Sequence, residues 1–335
     1  MVEPAAKARP ADRRLRRLLG RPTVLLAGLA VFALLPAVFN PYEIFAANLA
    51  LIYILLALGL NFLIGYGGQL AFANAALFGI GAYGAGLLRL DAGWPYWLSL
   101  PAGALIAMVV GVVIALPALR LRGLYLALAT VAFAQFALWV FIHWDSLTYG
   151  NAGFVIEPVD FTMFGVSNPI GMYYLSLVLA VVFVLVAYNI VRSRVGRALI
   201  AVRESEVAAE ALAINVTVYK TVAYGLSALY AGLAGGLFTG LLGVVVPESF
   251  NLFEVVLHFC MVLIGGLGSI AGSIIGAVGL IWLREALRGF QEAQEIAFGF
   301  LLLATLLFFP GGIVGALKRW IPGWAEPCNR AGDEP

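Results

Sequence analysis

The chain keeps Asp, Glu, Lys and Arg out of long stretches of itself. None occurs in residues 22–42, 44–88, 92–119, 123–144, 161–191, 221–247, 255–283 or 296–317. Runs of this length decide the solvent. A bilayer core about 30 Å thick is crossed by about 20 residues of helix. A backbone in lipid has no water to bond to, so each run must satisfy its own N–H and C=O groups as α-helix. The residue-by-residue alternation of a membrane strand is absent. Composition agrees: the chain is 63% hydrophobic and 11% charged, against about 45–50% and about 25% in soluble domains. The chain reads as an all-α integral membrane protein.

Most runs hold one span. Two are broken by glycine, at Gly65-Tyr66-Gly67-Gly68-Gln69 and at Gly265-Gly266-Leu267-Gly268-Ser269. The expected spans are 23–39, 44–64, 70–88, 96–116, 124–143, 171–191, 221–241, 252–264, 269–284 and 296–312. That makes about ten transmembrane helices, or nine if 255–283 is one long tilted helix and not two segments around a turn. A basic tail (1–22) precedes the membrane domain (23–320), and a second tail (321–335) follows it. Seven Lys or Arg lie within residues 1–21, and basic residues mark cytoplasmic ends. An inside N-terminus also places Arg120, Arg122, the cluster Arg192 to Lys220 and the flanking pair Lys318-Arg319 inside, so both termini are expected in the cytoplasm. The loop 144–170 is then outside. No small-x-small cleavage site follows Phe39 directly, so the first span is read as uncleaved.

Several function classes are excluded or disfavoured. No basic patch with interleaved aromatics suggests nucleic acid. Cys260 and Cys328 have no metal-ligand spacing, and no metal or other cofactor is expected. There is no Gly-x-x-x-x-Gly-Lys-Ser/Thr, so any ATP must be used by a partner. No catalytic Ser/His/Asp arrangement is legible, and the chain holds only two histidines, which argues against a membrane-embedded enzyme.

Three features carry function. The first is the polar segment 192–220, RSRVGRALIAVRESEVAAEALAINVTVYK. Gly196 to Arg203, Arg197 included, can make two helical turns. Ser205 can cap a second helix, with Glu206 at its positive end. Val207, Ala208, Ala211 and Leu212 then share one face, with Glu206, Ala209 and Glu210 opposite and Arg203, Glu204, Glu206 and Glu210 available for rim ion pairs. The pattern suits either a helix that docks on a soluble partner or one lying on the membrane surface. The second feature is glycine. Gly232, Gly236 and Gly240, and again Gly268, Gly272 and Gly276, form four-residue ladders that let helices approach closely, within one subunit or against a second one. Gly65, Gly67, Gly68, Gly265, Gly266 and Gly268 instead break apolar runs, which in a membrane is tolerated where the backbone is buried or lines a watery path. The third is polar residues within spans: Asn61, Gln69, Asn74, Gln135, Glu254 and His258. Intramembrane polar groups are candidates for a solute path, or they bond helix to helix. Gln135 shares a face with Leu128 and Val131 and reads mainly as packing. Glu254 and His258, four apart, share a helix face.

At this point the sequence resembles a family. Gly196-Arg197 through Lys220 is similar to the cytoplasmic loop of branched-chain amino acid ABC transporter permeases of the LivM type. Leu60-Asn61-Phe62-Leu63-Ile64-Gly65-Tyr66-Gly67-Gly68-Gln69-Leu70, Ala75 to Tyr83, Arg122-Gly123-Leu124-Tyr125, Ile264 to Ser269, and Phe308-Phe309-Pro310-Gly311-Gly312 resemble further blocks of that family, in order, over roughly residues 44–320. The chain departs from it at Leu70 to Asn74, Thr148 to Asn151, Ala213 and Gly311. The resemblance implies the larger ABC importer permease fold in the cell inner membrane. It implies a second homologous permease, two ATPase subunits on segment 192–220, a solute-binding protein outside, and branched-chain amino acids as solutes. Urea and short amides, or an ion-coupled secondary transporter, are the alternatives.

Overall fold

A computed structural model describes Pro36 and residues 40–315, apart from Arg122, 162–166, Phe290 and 309–310. Pro36 aside, the expected span 23–39 lies outside the described residues, as do the tails 1–22 and 321–335. Eleven main helices follow in order: α1 Pro41–Asn61, α2 Asn74–Leu90, α3 Tyr96–Ala118, α4 Leu124–His143, α5 Asn168–Arg192, α6 Arg194–Glu204, α7 Glu206–Ala211, α8 Val216–Leu242, α9 Leu252–Gly265, α10 Ile270–Ala286 and α11 Gln291–Phe308. A π-helical turn, Phe62–Tyr66, extends α1. Phe154–Val155 and Val244–Val245 pair as a short antiparallel ribbon.

Local chemistry sets where many of these helices begin. Glu43 accepts the Asn40 N–H at 2.9 Å before the Pro41 start of α1. The side chains of Ser193, Ser205, Asn215, Asn251 and Ser269 accept first-turn N–H groups of α6, α7, α8, α9 and α10. Such caps are worth about 1 kcal/mol each.

Each expected span within the described residues falls on a helix. Among the described residues, five helices are long and apolar enough to cross a membrane: α1 with its π turn, α3, α4, α5 and α8. The 17-residue α2 and α10 reach about 26 Å, and the 14-residue α9 about 21 Å, at 1.5 Å per residue. A count of ten goes beyond what length and apolarity establish. Residues 255–283 form two helices around a turn, not one tilted helix.

α1 is the hub. Of its 18-residue apolar stretch 94% is buried, and α5, α8, α9 and α10 pack around it. The α8 glycines explain one close approach. A Cβ on Gly232 would come within 2.5 Å of Ala107, one on Gly236 within 2.6 Å of Leu100, and one on Gly240 within 2.5 Å of the Tyr96 hydroxyl, all on α3. That ladder faces this chain's own helix. The second ladder is different: Gly272 and Gly276 lie in α10 against Gly265 and Met261 of α9, but Gly268 precedes the helix with a φ of 72°. It belongs to the turn, because the chain must reverse there.

Candidate functional site: the two ends of the central helix

Segment 192–220 folds as α6, α7 and the first turn of α8. α6 buries Gly196, Ala198, Leu199 and Val202, while Arg197 and Glu204 face out. α7 buries only Ala209, against Val202 and Val216. Ala209 is therefore the anchor of the helix and not part of its solvent face, as its place beside Glu206 and Glu210 suggested. Ala208, Glu210 and Ala211 are exposed, with Val207 at 79% and Leu212 at 73% exposure. Two expected rim charges are engaged within the chain. Glu206 pairs with Lys220 at 2.6 Å. Arg203 donates from Nη1 to the Gly65 carbonyl at 2.6 Å. Tertiary folding brings these partners together across 14 and 138 residues, a relation that helix periodicity does not encode.

The Arg203 bond makes one joint of two sequence features. Gly65 to Gln69 closes the end of α1, and α6 lies on it: a Cβ on Gly68 would meet the Arg203 side chain at 2.9 Å. Gly67 is buried against Leu63 and Ala223. Gln69 is buried, and its Nε2 lies 3.5 Å from the Lys220 carbonyl. A cavity of about 240 Å³ sits between the glycines and Arg203, Glu204 and Glu206.

Just inside that joint, Asn61 holds the turn between α9 and α10. Its Nδ2 donates to the Ser269 carbonyl at 2.9 Å and to Ser273 Oγ at 2.8 Å, and its Oδ1 accepts the Gly268 N–H at 2.9 Å. A Cβ on Gly65 would stand 1.8 Å from that Oδ1 and 2.5 Å from the Gly268 nitrogen, so only glycine fits there. Gly266, with a φ of 123°, and Gly268 turn the chain. Asn61 is buried, and this clamp uses both of its amide donors and one acceptor site of its oxygen.

At the other end, Glu254 is buried. Tyr53 donates its hydroxyl to Oε2 at 2.9 Å, and Arg284 donates to Oε1 at 3.0 Å. His258 Nε2 lies 3.5 Å from Oε2, beyond a good hydrogen bond. The His258 ring also packs edge-on against Tyr53 and Phe78. Asn74 is buried, and neither side-chain polar atom has a partner among the described residues. Gln135 is exposed on α4 beside Leu128 and Phe136. It does not pack as its spacing suggested, because α4 turns the opposite face, Ala127, Thr130, Ala134 and Ala137, inward.

Residues 43–310 match the family model described as branched-chain amino acid transport system / permease component. The chain belongs to this permease family. It is 32% identical over 315 residues to the high-affinity branched-chain amino acid transport system permease protein LivM of Salmonella typhimurium, covering 87% of this chain and 74% of the relative. With LivM of Escherichia coli it shares 33% over 293 residues, 80% and 69% of the two chains. The ribose import permease protein RbsC of Escherichia coli is 28% identical over 195 residues, 57% of this chain and 59% of the relative. No solved structure matches.

The permease is thus a multi-pass membrane protein of transport. Four of its site residues escape a reading by spacing. Ser269 and Ser273 lie next to a glycine run that draws the eye first. Tyr53 is one aromatic residue among many. Arg284 carried a signal, as the first charge after the 255–283 run, but nothing local ties it to Glu254.

Proposed function

We propose that this permease is the membrane-spanning subunit of an ATP-driven ABC importer for branched-chain amino acids or similar small polar solutes. The observation that carries this reading is the Arg203–Gly65 bond, which joins segment 192–220 to the central helix. Two ATPase subunits dock on the exposed α7 face of Ala208, Ala211 and Leu212. Closure of the ATPases moves α6 and α7, Arg203 passes the movement to Gly65–Gln69, and the permease alternates its access between the two sides. A second homologous permease completes the pathway, and a solute-binding protein delivers the solute outside. The Lys and Arg distribution supports an inner-membrane subunit with both termini cytoplasmic. The chain itself needs no cofactor; ATP belongs to the ATPases.

The names of the LivM relatives support amino acids over urea or short amides. A buried acid beside a histidine, Glu254 and His258, is the one observation that favours an ion-coupled secondary transporter, and family membership outweighs it. The test is Ala211→Arg in the assembled complex. A charge forced into a seated α7 face costs several kcal/mol, so ATPase recovery and uptake of L-leucine should both fall. Exposed ion pairs are worth about 0–1 kcal/mol, so Glu204→Gln should keep both. Full recovery and full uptake with Ala211→Arg would remove the docking role.

A further inference from the structure

The ends of α1, α8, α9 and α10 enclose a cavity of about 790 Å³. It lies at the end of α1 remote from Arg203. Tyr42 and Tyr53 both line it; eleven residues of α1 separate them, about 16 Å of helix. The cavity therefore runs from the first turn of α1 to its middle.

Its walls divide by chemistry. Phe45, Leu49, Phe238 and Leu242 give an apolar side; Glu254 and Arg284 form a charged side, and Glu248, Glu285 and Arg288 also line the space. A charge beside the middle of a spanning helix is expensive, yet Glu254 and Arg284 line the space and are not sealed from it. A carboxylate offers about four acceptor sites; Tyr53 and Arg284 each take one of Glu254's. Behind it His258 is wholly buried, and neither ring nitrogen has a hydrogen-bond partner among the described residues. The cluster thus holds polar capacity beyond what its own ion pair uses.

We propose that this cavity is a receiving site for a zwitterion with an apolar side chain. The ammonium group donates to Glu254, the carboxylate lies in the field of Arg284, and the side chain packs on Phe238 and Leu242. The proposal rests on the importer reading above and names where and how the solute is recognised within the permease. A neutral amide satisfies neither charge, and an acid or amine alone satisfies one.

The experiment uses the whole complex with Cys260→Ala and Cys328→Ser. A single cysteine is placed on the cavity wall by Ser249→Cys, or in a second version by Leu242→Cys, and labelled with a methanethiosulfonate. The probes are L-leucine, 4-methylpentanoate, which lacks the ammonium, and 3-methylbutylamine, which lacks the carboxylate. At ten times its Kd, L-leucine should slow labelling by about tenfold, since about one site in eleven then stays open. The single-charge analogues at the same concentration should not. The paired variant Glu254→Gln/Arg284→Gln should lose the protection while still being recovered in the membrane; if it is not recovered, Arg284→Lys, which keeps the charge but not its geometry, should weaken protection. Equal protection by all three probes, or none by L-leucine in a complex that imports it, overturns the cavity site and leaves the importer reading standing. A complex that imports no branched-chain amino acid while L-leucine still protects overturns the importer reading instead.

Discussion

Removing the Arg203 side chain should weaken the link between segment 192–220 and the membrane core. The last carbonyls of a helix have no partner within it, and Gly65 lies in the last turn of the extended α1. Arg203 reaches its carbonyl at 2.6 Å and brings positive charge to the negative end of the helix. A hydrogen bond to a charged group contributes about 1.5–3 kcal/mol. Arg203 is partly in water, so the lower figure applies, with about 0.5 kcal/mol more from the helix dipole. The total, about 2 kcal/mol, is about thirtyfold in any equilibrium that depends on the joint. Arg203→Ala should therefore leave a folded, membrane-inserted subunit whose complex hydrolyses ATP with uptake lowered by an order of magnitude. Arg203→Lys keeps the charge but not the fork and should fall between. The assay is solute uptake per ATP hydrolysed in proteoliposomes, with thermal melting in detergent as the control for folding. If Arg203→Ala keeps the wild-type ratio of uptake to hydrolysis, the joint does not transmit, whatever happens to the melting temperature.

Three further outcomes follow from the geometry. Asn61→Asp replaces the amide donor by an oxygen facing the Ser269 carbonyl, so the turn should lose about 1–3 kcal/mol; an unchanged melting temperature would remove the clamp. Gly272→Leu places a side chain where even a Cβ stands 2.7 Å from the Gly265 carbonyl; overpacking costs about 1–3 kcal/mol for small intrusions and more here, so the variant should vanish from the membrane, and normal abundance would refute backbone contact between α9 and α10. Ala213 holds a φ of 59°, a left-handed conformation costing a side-chain-bearing residue about 1–2 kcal/mol, partly offset by the flexibility glycine adds to the unfolded chain; Ala213→Gly should raise the melting temperature slightly, and a lower one would show that α7 does not end in this conformation.

What the sequence by itself determined is local. Charge-free runs placed the helices within a few residues, because in lipid a backbone has no alternative to helix, and Ser205 marked the start of α7 because its hydroxyl bonds only three residues ahead. The glycine breaks also stood out, since they interrupt a pattern that is otherwise continuous. Tertiary structure decided what those breaks are for. Asn61 and the Gly268 N–H are 207 residues apart, Tyr53 and Glu254 201, and Arg203 and Gly65 138. Helix periodicity says which residues share a face but not which helix that face meets. That is why Arg203 reads as a rim charge and folds as a helix cap, and why Ala209, set among glutamates, is the residue that anchors α7. It is also why Gln135 reads as packing and faces away from the bundle. Identical spacings bury or expose a side chain according to the neighbour, and the neighbours were chosen by how α5, α8, α9 and α10 pack around α1 and the other helices against them.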